Sequence, residues 1–218
     1  MKTYALVLLL IAAALATKGF DLSYFQGDVP QSAFTCLANS GFSFGIIQSQ
    51  RSTGLANPYA PNVYRRAKKA GIANVDFYLF PSVKEDGATQ ARRNVQWLMS
   101  EGVLTNNMIW IDIEEKRLFH PTAAQNVQFL KDIIAEIDRL YKGCGKSSCV
   151  GIYANKNQWT QICGTNTEFS KYPLWYPHYD GIPSFSDWVA FGGWRYPAIK
   201  QYKGTTDMCG TQIDLNFY

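Results

Sequence analysis

Eight short apolar runs recur along the chain, and most of the gaps between them carry helical periodicity. The runs are 19–23, 42–48, 73–80, 108–114, 150–154, 172–176, 198–202 and 211–215. Several are nearly continuous in apolar residues, as parallel strands covered on both faces are. Segments 29–39, 57–70, 87–101, 121–141 and 155–163 read as helices. Pro30 sits near the first turn of one. Gly71 and Gly102 stop two others. In the longest, Val127, Leu130, Ile134, Ile137 and Tyr141 recur at helical spacing. Strand–helix alternation implies a parallel sheet with helices outside it. Eight such strands in a chain of 218 residues imply closure. The helix signal weakens after Cys163, where Pro, Gly, Trp and Tyr crowd the sequence. The expected fold is α/β: an irregular (β/α) barrel of about eight mostly parallel strands, with fewer helices in its C-terminal part. Barrels of this kind carry their active sites at the C-terminal ends of the strands.

The first sixteen residues stand apart. Lys2 precedes an apolar run from Tyr4 to Ala14, closed by Ala14-Leu15-Ala16. This is the pattern of a signal peptide, 1–16, removed on export. The run is shorter than the roughly 20 residues that span a bilayer. The remainder, 17–218, is expected to form a single catalytic barrel domain, free of membrane and acting as a monomer. Its expected destination is the exterior, or a lysosome or phagosome reached by the same pathway.

Five cysteines lie beyond the leader, so disulfides are allowed. Cys144 and Cys149 flank a Gly-Lys-Ser-Ser turn and form a candidate pair. A second pair is expected among Cys36, Cys163 and Cys209, with connectivity open. There is no C-x-x-C, and the two histidines, His120 and His178, lie far apart, so no metal site or cofactor is expected. The formal charge of +4 is too mild and scattered for nucleic acid, but suits approach to an anionic wall. The one dense basic run, Arg65-Arg66-Lys68-Lys69, alternates with Tyr64, Ala67 and Ala70 and reads as a solvated helix face. Aromatic residues make up 15% of the chain, more than a core needs, and such rings stack on the apolar faces of sugars.

Met108-Ile109-Trp110-Ile111-Asp112-Ile113-Glu114 is the most informative segment. Side chains alternate along a strand. Ile109, Ile111 and Ile113 then face the helices, while Trp110, Asp112 and Glu114 face the barrel mouth. At about 3.3 Å rise per residue, the two carboxylates lie roughly 6–7 Å apart along the strand. Two carboxylates in one pocket have their pKa values pushed apart. One stays protonated as an acid and the other stays charged, as glycoside hydrolysis requires. Two further acids, Asp21 and Asp214, end the first and last strands. Closure makes those strands neighbours, so both acids flank one rim of the same mouth.

These residues carry a resemblance. Gly19-Phe20-Asp21-Leu22-Ser23-Tyr24-Phe25-Gln26-Gly27 looks like the first-strand motif of the glycoside hydrolase family 25 muramidases, the Chalaropsis-type lysozymes. Trp110-Ile111-Asp112-Ile113-Glu114 resembles that family's D-x-E. Val75-Asp76-Phe77-Tyr78-Leu79-Phe80, Gly151-Ile152-Tyr153-Ala154-Asn155 and Leu174-Trp175-Tyr176-Pro177-His178-Tyr179 are similar to other strands of it. Lys200-Gln201-Tyr202 and Ile213-Asp214-Leu215-Asn216 resemble its closing segments. The likeness runs from about Gly19 to Tyr218. It departs at Gln48-Ser49-Gln50, where the family commonly carries Lys and Glu, and at Lys200, where Trp is usual.

The resemblance implies hydrolysis of the β-1,4 bond between N-acetylmuramic acid and N-acetylglucosamine in bacterial peptidoglycan. Glu114 would be the general acid. Asp112 would orient the substrate's 2-acetamido group, with a direct inverting route through Asp112 or Asp214 left open. Asp21 and Asp214 would tune charge and hold water or hydroxyls. Tyr78, Tyr153, Trp175 and Gln201 are the candidates for the sugar subsites. Two other readings use the same scaffold: a lectin-like carbohydrate-binding barrel, which would have lost the acids, and a chitin-directed hydrolase, which would keep them.

Overall fold

The computed structural model describes residues 17–218, so the leader at 1–16 lies outside the described residues. Eight strands close into a barrel in sequence order. They are β1 (Lys18–Leu22), β2 (Phe42–Gln50), β3 (Asn74–Leu79), β4 (Ile109–Asp112), β5 (Val150–Tyr153), β6 (Leu174–Pro177), β7 (Ile199–Met208) and β8 (Thr211–Phe217). Five α-helices lie between β1 and β6: α1 (Gln31–Asn39), α2 (Ala60–Lys69), α3 (Gly87–Ser100), α4 (Ala123–Leu140) and α5 (Lys156–Cys163). β1 to β7 run parallel, and β8 is antiparallel to both its neighbours, β7 and β1. After α5 only a short 3-10 turn, Glu168–Lys171, is helical, as the sequence predicts. Among the described residues no helix is long and apolar enough to cross a membrane.

Most boundaries shift by one or two residues from the sequence reading, and three of the differences have a physical reason. α2 begins at Ala60 rather than at 57, because Asn57 is spent on the loop. Its amide donates to the Gln48 carbonyl and its side-chain oxygen accepts from Tyr59 N–H. β4 ends at Asp112, so Glu114 lies just beyond the strand. β7 extends to Met208, because Lys203–Met208 pairs with β8 in an exposed hairpin that has no apolar run to mark it.

Two apolar layers hold the barrel. Outward residues of the strands, including Phe20, Phe77, Ile109, Ile111 and Ile152, with Ile113 just past β4, pack against the helices. Inward residues Phe44, Ile46, Tyr78, Met108, Trp110, Tyr153, Trp175 and Ile199 fill the interior. Gly151 is required there, since a Cβ would meet the Trp110 ring at 2.3 Å. Such a filled interior is a packed core and not a channel. Cys36–Cys209 ties the tip of the β7–β8 hairpin to α1, and Cys144–Cys149 closes the turn before β5, leaving Cys163 buried and free. The basic run lies on α2, with Arg65, Lys68 and Lys69 exposed and Tyr64 and Ala67 buried.

Lys200 points out of the barrel into the long β6–β7 connection and is fully buried. Its ammonium contacts Asp180 at 2.7 Å and Asp187 at 2.8 Å, and donates to the Ser184 carbonyl at 3.0 Å. His178, Asp180 and Asp187 could gather round an ion, but the Lys200 ammonium already bridges both carboxylates. Lys200 stands where the resemblance puts Trp, and here it anchors the loop by charge.

Candidate active site

A cavity of about 280 Å³ opens at the C-terminal ends of the parallel strands. All eight residues chosen from the sequence line it: Asp21, Tyr78, Asp112, Glu114, Tyr153, Trp175, Gln201 and Asp214. Each arrives by strand period. Asp21 is the last but one residue of β1 and sits directly across from Asp214 of β8 in the antiparallel register. Asp112 ends β4 beside Tyr153 of β5. Glu114 comes two residues later, and the chain then turns through Glu115 in a left-handed conformation, φ 58°. That conformation costs a residue with a Cβ about 1 kcal/mol, a strain of the kind found at functional sites.

Asp21 and Asp214 are tied by one amide. Gln201 Nε2 donates to Asp21 Oδ2 at 2.8 Å and to Asp214 Oδ2 at 3.1 Å. Its Oε1 accepts from Tyr153 Oη at 2.7 Å and from Tyr179 Oη at 2.8 Å. Gln201 is thus buried, with its amide engaged by four side chains. Asn216 Nδ2 also donates to Asp21 Oδ2, while its own oxygen accepts from Trp175 Nε1. Trp175 packs edge-on against Tyr78, Trp110 and Tyr153, which makes it the floor of the cavity. A bulge in β7 turns the Thr205 N–H onto Asp214 Oδ1 at 2.6 Å, a use of bulges common beside active sites.

Asp112 is different. It is 5% exposed, and its Oδ1 has no hydrogen-bond partner among the described residues. Among those residues no Lys, Arg or His lines the cavity. Four carboxyls therefore share a poorly solvated space without a counter-charge, and all four are pushed upward. Burial raises Asp112 well above the ordinary range, with Glu114, Asp21 and Glu115 adding repulsion. Burial also raises Asp21 strongly, then Asp214 adds to it, against the hydrogen bonds from Asn216 and Gln201. Asp214 is raised by burial and partly relieved by the Thr205 N–H. Glu114 reaches about 7, by burial first and then by repulsion from Glu115 and Asp214. A carboxyl at about 7 keeps its proton in mildly acidic solution and can give it to a leaving oxygen.

The family model Lysozyme-like protein 1 matches residues 15–202. A probable GH family 25 lysozyme of Dictyostelium discoideum is 39% identical over 211 residues, covering 96% of this chain and 94% of its own. The chain belongs to the family 25 lysozymes. It is a glycoside hydrolase. A lysozyme from Streptomyces coelicolor shares the fold, with a TM-score of 0.73 at 21% identity over 93% of this chain and 92% of that one. So does a modular autolysin of Streptococcus pneumoniae solved with a synthetic peptidoglycan ligand, with a TM-score of 0.68 at 15% identity over 93% of this chain and 47% of that one.

In this family 25 lysozyme the cavity also holds residues the sequence reading did not choose. Gln48 reaches it and accepts the Tyr24 N–H at 2.8 Å. Tyr179 is 60% exposed yet hydrogen-bonded to Gln201. Phe25 stands at the lip. Tyr179 and Phe25 both fall inside segments that carry the resemblance, and Gln48 falls at a departure from it, so those stretches held the available signal.

Proposed function

We propose that this lysozyme hydrolyses the β-1,4 bond from N-acetylmuramic acid to N-acetylglucosamine in bacterial peptidoglycan. The observation that carries the reading is the unpartnered Asp112 Oδ1, buried beside Glu114. A buried acceptor without a donor costs about 1–3 kcal/mol. The N–H of a 2-acetamido group supplies that donor. It also favours the charged form of Asp112 once the sugar is seated. Glu114 then protonates the glycosidic oxygen as the bond to the anomeric carbon breaks. The acetamido oxygen closes onto that carbon, and Asp112 balances the positive charge that develops on the ring. Water opens the cyclic ion and gives its proton to Glu114, which restores the acid. This is the substrate-assisted variant of glycoside hydrolysis. Asp214 is less suited to act as base for a direct inverting attack, because both its oxygens are engaged.

Asp21, held by Asn216 and Gln201, sets the charge of the mouth. Tyr78 and Tyr153 are kept protonated by burial first and by the acids around them, so their hydroxyls are donors. The related autolysin solved with a synthetic peptidoglycan ligand supports the substrate class. Two disulfides support export of the chain. In this reading the leader 1–16 is removed. Residues 17–218 then work as a monomeric catalytic domain, outside the cell or in a lysosome or phagosome.

The test is release of soluble saccharide from purified peptidoglycan and from chitin, each across pH 4–9. Peptidoglycan is expected to be the better substrate. Its kcat/KM is expected to fall about tenfold per pH unit above about 7, as Glu114 loses its proton. Faster cutting of chitin would favour the chitin-directed reading. Binding without cutting would make the chain a carbohydrate-binding barrel. A rate that climbs through pH 8 would remove Glu114 from the acid role.

A further inference from the structure

We propose that Phe25 is a stacking platform for a pyranose ring outside the cleaved pair, and so sets affinity for long glycans. The inference rests on the glycan-cleaving reading above. Phe25 is 90% exposed, the most exposed large apolar side chain among the described residues, yet it lines the same cavity as the four acids. An apolar ring left in water is unfavourable unless something covers it. A mobile loop would let such a ring fold back onto the protein. This one is held out by a braced turn.

Phe25 is the middle residue of a 3-10 turn, Tyr24–Gln26. Ser23 Oγ accepts its N–H, and Gln26 Oε1 accepts from Ser23 N–H at 2.8 Å, so the turn is capped from both sides. Tyr24 N–H donates to Gln48 Oε1 at 2.8 Å. The Tyr24 ring stacks on Tyr59 at 5.7 Å, with the Arg51 guanidinium 4.3 Å above it. Tyr24 is thus pinned on three sides, and its neighbour is thrown outward. Because the ring borders the catalytic cavity, whatever fills that cavity and continues past it meets Phe25. A glycan presents alternating faces of axial C–H groups, the surface an aromatic ring accepts. Gln48 stands at one of the sites where the chain departs from the common family pattern, and here it serves as the brace of this turn.

The experiment compares wild type, Phe25→Ala and Phe25→Trp on long glycan strands and on short fragments that cannot reach the rim. Phe25→Ala is expected to raise KM on long strands about tenfold with kcat within twofold, and Phe25→Trp to restore KM. The penalty should shrink on the short fragments. Thermal unfolding should be the same for all three proteins, since the ring contributes little packing. A KM unmoved by Phe25→Ala, or a loss confined to kcat, would overturn the assignment. Wild type that cuts no glycan of any length would instead bring down the parent reading.

Discussion

Glu114→Gln is expected to lower turnover on peptidoglycan about a thousandfold, within the span typical of a lost general acid, and to leave a protein that is more stable at pH 8 than the wild type. The first effect comes from chemistry: an amide has no proton to give the leaving oxygen. The second comes from linkage. Glu114 has its carboxyl raised from 4.5 to about 7 by burial and neighbouring acids, so the native state holds its proton more tightly than the unfolded chain does. As pH rises through that window the unfolded chain ionises first, and stability is lost. Gln escapes the loss. The variant should therefore match the wild type near pH 4 and exceed it by about 3 kcal/mol at pH 8. Reducing-sugar release and urea unfolding at the two pH values measure both. A variant that keeps its activity, or one destabilised equally at both, would contradict the account. Opposed changes in activity and stability are the mark of a site strained for function.

Lys200→Met is expected to cost about 3–5 kcal/mol, the usual consequence of removing one partner from a buried ion pair. Met keeps the length of the stem but leaves Asp180 and Asp187 facing one another. Burial alone would raise Asp187, yet hydrogen bonds from Lys200, His178 and Tyr176 hold it at about 2. Asp180 is likewise lowered, with burial outweighed by its bond to Lys200 and the Ile182 N–H. The stability these two acids contribute is present above the ordinary carboxylate range and fades as pH falls toward 2. Without Lys200 that acid dependence should weaken, and the 178–198 connection should become open to proteolysis. Activity should drop with it, because the connection carries Tyr179 to the cavity. Adding Asp187→Asn should recover part of the loss. A change under about 1 kcal/mol would show that shape, not charge, holds the loop.

The barrel was legible because buried parallel strands are apolar on both faces and helices are apolar on one. The strand-end acids were legible because side chains alternate: Trp110, Asp112 and Glu114 share a side whatever the details of packing. Closure alone set Asp21 beside Asp214. Other features had no local signal. Residues 203–208 alternate in exposure within a two-stranded hairpin, which leaves no apolar run to read. Gln201 reads in sequence as a sugar-subsite candidate, and only the tertiary structure shows its amide bonded to Asp21, Asp214, Tyr153 and Tyr179. Lys200 was visible as a departure from the family pattern, but its burial depends on Asp180 and Asp187 in a connection without regular structure. Phe25 lies in a quoted motif, yet exposure is not a property a motif carries.

The central claim is that Glu114 cleaves on the reducing side of N-acetylmuramic acid. The most direct measurement digests purified peptidoglycan, reduces the new ends with borohydride and identifies the amino-sugar alcohols. The account predicts that the reduced ends are muramic, that they appear in step with soluble material, and that Glu114→Gln produces none. Reduced glucosamine ends in their place would mean that the acetamido group seated on Asp112 belongs to the other sugar, and the assignment of this chain as an N-acetylmuramidase would fall.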